Sequence, residues 1–253
     1  MTANRRPHAM PAMSAPVCLP LGADGVLVKF SLHPDPAAMR AAQAFGAAMR
    51  RAPPGGVVET AVSLVSVFLR FDPLETSRLA VTNAVSATLT AHDWACTAGP
   101  PAARRWRIPA VFGNDHGPAL AEAAALAGLS EAEAIENLTG TDLSVLAIGF
   151  APGQPYLGLL DDRWDLPRLA NLTPQVPAGA IVVAVRQLVL FANPSTTGWR
   201  HIGQTAFRPF DKDAAPPFAL DAGDALRLHA VSAADFAELA KQPMGGATCE
   251  ALE

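Results

Sequence analysis

Proline placement constrains this chain more than any other feature. Of its 253 residues, 23 are proline, clustered at 7–20, 53–54 and 100–109 and dense from 152 onward. Proline fixes φ and removes a backbone donor, so each cluster interrupts helices and strand ladders. Long segments free of such breaks lie mainly in the first half. Helices are therefore expected there, and short strands between turns are expected in the second half. With 50% hydrophobic and only 17% charged residues, the chain has material for a substantial core. Its length fits one large domain or two small ones.

Gly25–Phe30 reads as a strand. Asp35-Pro36 supplies an N-cap and a first-turn proline for a helix over Ala37–Arg51. Val57–Phe71 is rich in β-branched residues, as one long strand or a bent pair. Asp72-Pro73, with Glu75 at the capping-box position, predicts a second helix running to about His92. This order fits a small α/β sandwich of the split βαβ type. Arg105–Pro109 reads as a strand, Pro118–Gly128 and Ser130–Leu138 as helices, and Leu143–Phe150 as an apolar strand. Ser130 and Glu133 have capping-box spacing. The short apolar runs Ile181–Val185, Leu188–Phe191 and Ala225–His229 suggest a compact β-barrel or sandwich. Ser232–Lys241 would be a closing helix, with a frayed tail after Pro243.

Composition and spacing exclude several function classes. A net charge of −4 argues against nucleic acid as the main partner. No apolar run is long enough to span a membrane, and the first 20 residues lack the apolar segment of a secretory signal, so a cytoplasmic protein is expected. Cys18, Cys96 and Cys249 are distant and odd in number, which disfavours disulfides and zinc. The histidines at 8, 33, 92, 116, 201 and 229 show no metal-binding spacing, so no metal is predicted. There is no GxSxG elbow and no P-loop.

Three polar segments remain. Gly149–Gly158 packs three glycines, two prolines and two aromatics into a rigid loop, able to present backbone N–H groups or simply to turn the chain. Asp161, Asp162, Asp165 and Arg163 read as a solvated, ion-paired loop, whereas Arg168 stands in an apolar stretch and is the better binding candidate. Arg200, His201, Gln204 and Thr205 crowd behind Trp199, although a lone histidine such as His201 is more often a satisfied one than a catalyst. Arg104-Arg-Trp-Arg107 reads as a strand with alternating faces.

Gly149-Phe-Ala-Pro-Gly153, Pro155-Tyr-Leu-Gly158, Leu166-Pro-Arg168, Val176-Pro-Ala-Gly179, Gln187, Gly198-Trp-Arg-His-Ile-Gly203 and Thr205 occur in this order, followed by Phe210-Asp211 and Gly223-Asp224. Over about residues 20 to 231 the series resembles the B subunit of bacterial 5-oxoprolinase, also called allophanate hydrolase subunit 1, the family of the kinase inhibitor KipI. The chain departs from the family pattern at several points. Gln154 stands where a Phe is usual, Leu172-Thr173 replaces a second Pro-Arg, and Gln204 replaces an Arg.

The resemblance implies an α+β protein with an N-terminal α/β domain (21–98) and a cyclophilin-like β-barrel domain (99–242); the proline-rich residues 1–20 read as a flexible arm and 243–253 as a tail. It implies one component of an ATP-dependent hydrolase that opens 5-oxoproline to L-glutamate or acts on a ureido compound such as allophanate. Its partner would be a C-type subunit, homologous to allophanate hydrolase subunit 2, with an A-type subunit as the third component. The alternative is a non-catalytic KipI-like module that inhibits a histidine kinase. The expected substrate site comprises Phe150, Gly153, Tyr156, Arg168, Gln187, Trp199 and Thr205. In it Arg168 would orient a carboxylate or phosphate, Gln187 and Thr205 would bond an amide, and Gly153 would offer backbone N–H. No residue is a convincing nucleophile, so the catalytic groups are left to the partner.

Overall fold

The computed structural model describes residues 15–252. The expected arm lies outside the described residues up to position 14. Its last part is not an arm, because Val17–Leu21 forms strand β1 and pairs along its whole length with β2, Gly25–Lys29. The chain divides into two compact units after Gly99.

The first unit is one four-stranded sheet with two helices. Asp35 caps α1 (Pro36–Arg51) by accepting from the Ala38 backbone N–H. The β-branched run folds as a hairpin, β3 (Val57–Ser63) and β4 (Ser66–Phe71), because Val65 sits in a tight turn between them. The sheet order β1-β2-β4-β3 places β4 antiparallel between β2 and β3, the split βαβ arrangement. Val26, Val28, Phe30, Val67, Leu69 and Phe71 alternate onto the buried face. Phe45 of α1 meets Phe30 there, with ring centroids 5.6 Å apart.

Helix α2 spans Arg78–Thr90 and starts later than the sequence suggested. Asp72 does not cap it. Its carboxylate accepts from Leu74 N–H and closes a turn, so Ser77 becomes the N-cap and accepts from Ala80 N–H.

The second unit is a closed barrel. Its strands are β5 (Arg104–Phe112), β6 (Leu143–Ile148), β7 (Pro155–Gly158), β9 (Ala180–Ala184), β10 (Gln187–Leu190), β12 (Arg200–Gln204) and β13 (Ala225–Ala230), and the β12–β5 pairing shuts the ring. A separate two-stranded sheet joins β8 (Thr173–Val176) to β11 (Ser195–Thr197). The expected frayed tail is instead β14 (Thr248–Ala251), paired with the first half of β5; the second half of that same edge pairs with β12. An open ladder edge on β5 gives the tail its hydrogen bonds.

Period-two alternation builds two cores. Ile108, Leu143, Leu157, Ile181, Val183, Leu188, Leu190, Leu226 and Leu228 fill the barrel. Helices α3 (Leu120–Leu126) and α4 (Glu131–Thr139), the latter with its Ser130–Glu133 capping box formed, close one side of that core. The opposite faces of β9 and β10 turn outward. Ala180, Val182, Ala184, Val189 and Phe191 there form a second cluster with Val176 and Trp199. This outer cluster positions the candidate site. Helix α5 (Ala233–Leu239) follows β13 and is capped by Ser232.

Candidate functional site

A hollow of about 200 Å³ opens beside the outer cluster. Its walls include Phe150 and Gln154 from the glycine–proline loop, Tyr156 from β7, Arg168 and Leu172, Val189 and Phe191 at the end of β10, and the Thr196–Trp199 turn. Four expected site residues meet here: Phe150, Tyr156, Arg168 and Trp199.

The loop Gly149–Gly153 is built to hold its shape. Gly149 N–H donates to the Gln154 carbonyl and Gln154 N–H to the Ala151 carbonyl. Gly153 has φ +72°, and a Cβ there would lie 2.7 Å from both the Pro209 carbonyl oxygen and Phe210 Cβ, so only glycine fits. Phe150 is also left-handed, at φ 71°, and its ring is 77% exposed. A bulky residue in that conformation stores strain, and such residues cluster at binding sites.

Arg168 is held from behind. Arg200, almost fully buried, donates from Nη1 to the Pro167 carbonyl at 2.6 Å and from Nε to Glu122 at 2.9 Å. Leu169 N–H donates to the Gly198 carbonyl at 2.7 Å. These bonds pin Pro167–Leu169 against the Trp199 turn. The Arg168 guanidinium then lies over the indole of Trp199, 5.4 Å from the ring centroid. Tyr156 meets the same indole edge-on at 6.3 Å. Among the described residues, no carboxylate pairs with Arg168. Its charge sits at the mouth of the hollow, exposed and available to an anion.

Gln154 is the residue that sequence reasoning undervalued. It is 1% exposed, and its Oε1 has no hydrogen-bond partner. A buried orphan acceptor costs about 1–3 kcal/mol. The sequence offered only a polar residue inside a rigid Gly-Gln-Pro turn; its burial is what marks it. Thr197 also lines the hollow, but its hydroxyl accepts from Trp199 N–H and so braces the turn.

Three expected site residues do not line this hollow. Gly153 shapes the loop against Pro209 and Phe210 instead. Gln187 lies one outward position beyond Val189 on β10, opposite Gly158 and Ala184. Thr205 follows β12 into a separate cavity, where its buried hydroxyl accepts from Phe207 N–H. The path of the closed barrel sets which outward positions share a hollow, and residue order alone does not reveal that.

The neighbouring polar groups are structural. Burial holds the His201 imidazole below its ordinary value; nearby His116 pushes the same way, against a hydrogen bond with the Gly203 backbone. The thiols are poor nucleophiles. Burial raises the Cys18 and Cys249 pKa values, and a hydrogen bond with Asp93 raises that of Cys96. Among the described residues, no group of three or more His, Cys, Asp or Glu side chains could hold a metal ion, and no helix is long and apolar enough to cross a membrane.

Comparison with known proteins gives a consistent family. The family described as "Carboxyltransferase domain, subdomain C and D" matches residues 16–220. The 5-oxoprolinase B subunit of Bacillus subtilis (strain 168) is 35% identical over 129 residues, 51% of this chain and 54% of that protein. The protein of the same name from Escherichia coli O157:H7 is 37% identical over 128 residues, 51% of this chain and 59% of that one. The match thus spans little more than half the length of these curated relatives. The crystal structure of TTHA0988 superposes with a TM-score of 0.68 at 27% identity, covering 82% of this chain and 40% of that chain. The Kluyveromyces lactis urea carboxylase shares the fold alone, at a TM-score of 0.69 and 16% identity over 94% of this chain and 25% of that one. With the outer cluster, six of the seven barrel strands and the glycine–proline loop inside the matched span, the chain belongs to the carboxyltransferase-domain family that includes the B subunit of 5-oxoprolinase.

Proposed function

We propose that this chain is the substrate-holding subunit of a heteromeric, ATP-dependent amidohydrolase. The substrate is 5-oxoproline, opened to L-glutamate, or a related ureido compound such as allophanate. One observation carries the reading: an unpaired guanidinium, backed by an indole, shares a small hollow with Gln154, whose buried amide oxygen lacks a donor. 5-Oxoproline presents the complement, with a carboxylate beside a ring N–H. Arg168 would take the carboxylate and Gln154 Oε1 would accept from the lactam N–H. Tyr156 and Trp199 would flank the ring. Hydrolysis then adds water to the lactam carbonyl and breaks the C–N bond. The chain's residues orient the substrate and exclude solvent for that step, and the attacking group comes from the partner.

ATP hydrolysis supplies the driving force for ring opening in this reading. The hollow of about 200 Å³ is below the roughly 300–1,000 Å³ of sites for drug-sized ligands, so ATP is assigned to a site other than this hollow. The rim supports closure by a second protein: Phe150 and Leu172 are 77% and 65% exposed beside the mouth. Exposed apolar side chains around a polar hollow suit a protein interface. A C-type subunit, the allophanate hydrolase subunit 2 homologue, is the proposed partner, and an A-type subunit completes the enzyme.

Co-expression with candidate C- and A-type subunits tests this, followed by ATP hydrolysis with and without 5-oxoproline, allophanate or urea. Stimulation by 5-oxoproline or allophanate supports the proposal. Stimulation by none of them overturns it and leaves the KipI-like binding module.

A further inference from the structure

The Arg104-Arg-Trp-Arg107 segment has a use beyond strand alternation. In β5 the side chain of Trp106 packs against the barrel core, so Arg105 and Arg107 point outward. In the parallel partner β13, Leu226 and Leu228 point inward, so Arg227 and His229 also face outward. The register puts Arg227 directly beside Arg107. Like charges on neighbouring strand positions repel, and sheets ordinarily avoid them.

Here they surround a cavity of about 490 Å³. Arg107, Arg227, His229 and the hydroxyl-bearing Thr139 and Thr248 line it, and no acidic residue does. Two acids stand behind the arginines. Asp142 accepts from Arg227 Nε at 2.7 Å and also pairs with Arg105. Glu250 bonds Arg105 at 3.1 Å but lies 3.6 Å from Arg107 Nε, too far for a hydrogen bond. Three guanidiniums thus face two carboxylates, and among the described residues the Arg107 side chain has only the long ion pair with Glu250. The cavity also carries no Phe, Tyr or Trp on which a nucleobase could stack.

We propose that this cavity is a second binding site, for the phosphate group of a small phosphomonoester. The two arginines would bond its oxygens, as guanidinium forks do. The Thr248 hydroxyl would donate to the same group, while the Thr139 hydroxyl already donates to the Ile135 carbonyl at 2.8 Å and only lines the wall; the remaining volume would hold a small organic body. The site is formed by β5, β13, β14 and α4, and it shares no lining residue with the hollow at Arg168. It therefore does not rest on the proposed hydrolase activity.

Calorimetric titration of the purified chain with inorganic phosphate tests the site, with acetate as the carboxylate comparison and amide NMR shifts locating the contact. The expected result is phosphate bound at this cavity with a Kd of about 1 mM or tighter, told apart from any anion held at Arg168 by shifts at Thr139, His229 and Thr248 that persist in Arg168→Gln. The combined Arg107→Gln/Arg227→Gln variant should bind about tenfold more weakly, while Arg168→Gln binds as before. Absence of phosphate binding, equal binding of acetate, shifts confined to other residues, or loss through Arg168→Gln alone would each overturn the proposal. The shift map on the unmodified chain keeps the test valid even if the double variant folds poorly.

Discussion

Replacing Gln154 by Leu should stabilise the free protein and weaken its ligand binding. The side chain is 1% exposed, and its Oε1 is buried without a donor. Leucine is close in volume and carries no orphan. The loop itself is unaffected, because Gln154 holds it through backbone bonds with Gly149 and Ala151. Removing an unpaired buried acceptor returns its desolvation cost, about 1–3 kcal/mol. For one unit of this size that raises the unfolding midpoint by roughly 2–12 °C. The same change removes the proposed acceptor for the substrate N–H. Losing a hydrogen bond worth about 1 kcal/mol weakens binding around fivefold, and more if the substrate N–H is left dry. Thermal unfolding and the KM for 5-oxoproline in the reconstituted complex measure the two effects. A lower midpoint, or a higher midpoint with an unchanged KM, would refute the assignment of Gln154 as a waiting acceptor.

Other substitutions probe the scaffold. Arg200→Leu removes both bonds that pin the Pro167 carbonyl and Glu122; urea unfolding should show a loss of about 2–4 kcal/mol, and KM should rise although no substrate contact is deleted. Gly153→Ala forces a Cβ into Pro209 and Phe210 at a left-handed φ, which should cost more than about 1 kcal/mol by the same assay. The His201 imidazole sits below its ordinary value of 6.5, chiefly through burial. Below that value the unfolded chain takes up a proton that the folded chain resists, so stability is full above it and declines as pH falls. Denaturant midpoints from pH 7.5 to 5 should show this decline, and His201→Gln should flatten it.

How much of this could be read from residues alone follows from the range of the interactions. The capping signals Asp35 and Ser130–Glu133 act within one turn, and both are formed. Asp72-Pro73 carries the same local signal, yet its carboxylate closes a turn and Ser77 caps the helix. The choice between those outcomes depends on the chain beyond Asp72. β14 was invisible for a related reason, because its stability comes from an edge of β5 more than 130 residues away, and the tail itself offers no apolar pattern. At the site, the short-range elements Phe150, Tyr156, Arg168 and Trp199 converge as their motif order suggested. Gln187 and Thr205 did not, since barrel closure decides which outward positions meet. The Gln154 orphan became visible only once burial could be measured.

The most direct test of the central claim is the effect of Arg168→Gln on the reconstituted complex. The exposed guanidinium stacks on the Trp199 ring, an interaction worth about 0.5–1 kcal/mol, so folding and assembly should persist. Loss of a charged hydrogen bond worth about 1.5–3 kcal/mol predicts a KM for 5-oxoproline raised roughly ten- to 150-fold. An unchanged KM in an assembled, folded complex would contradict the placement of the substrate carboxylate at this arginine.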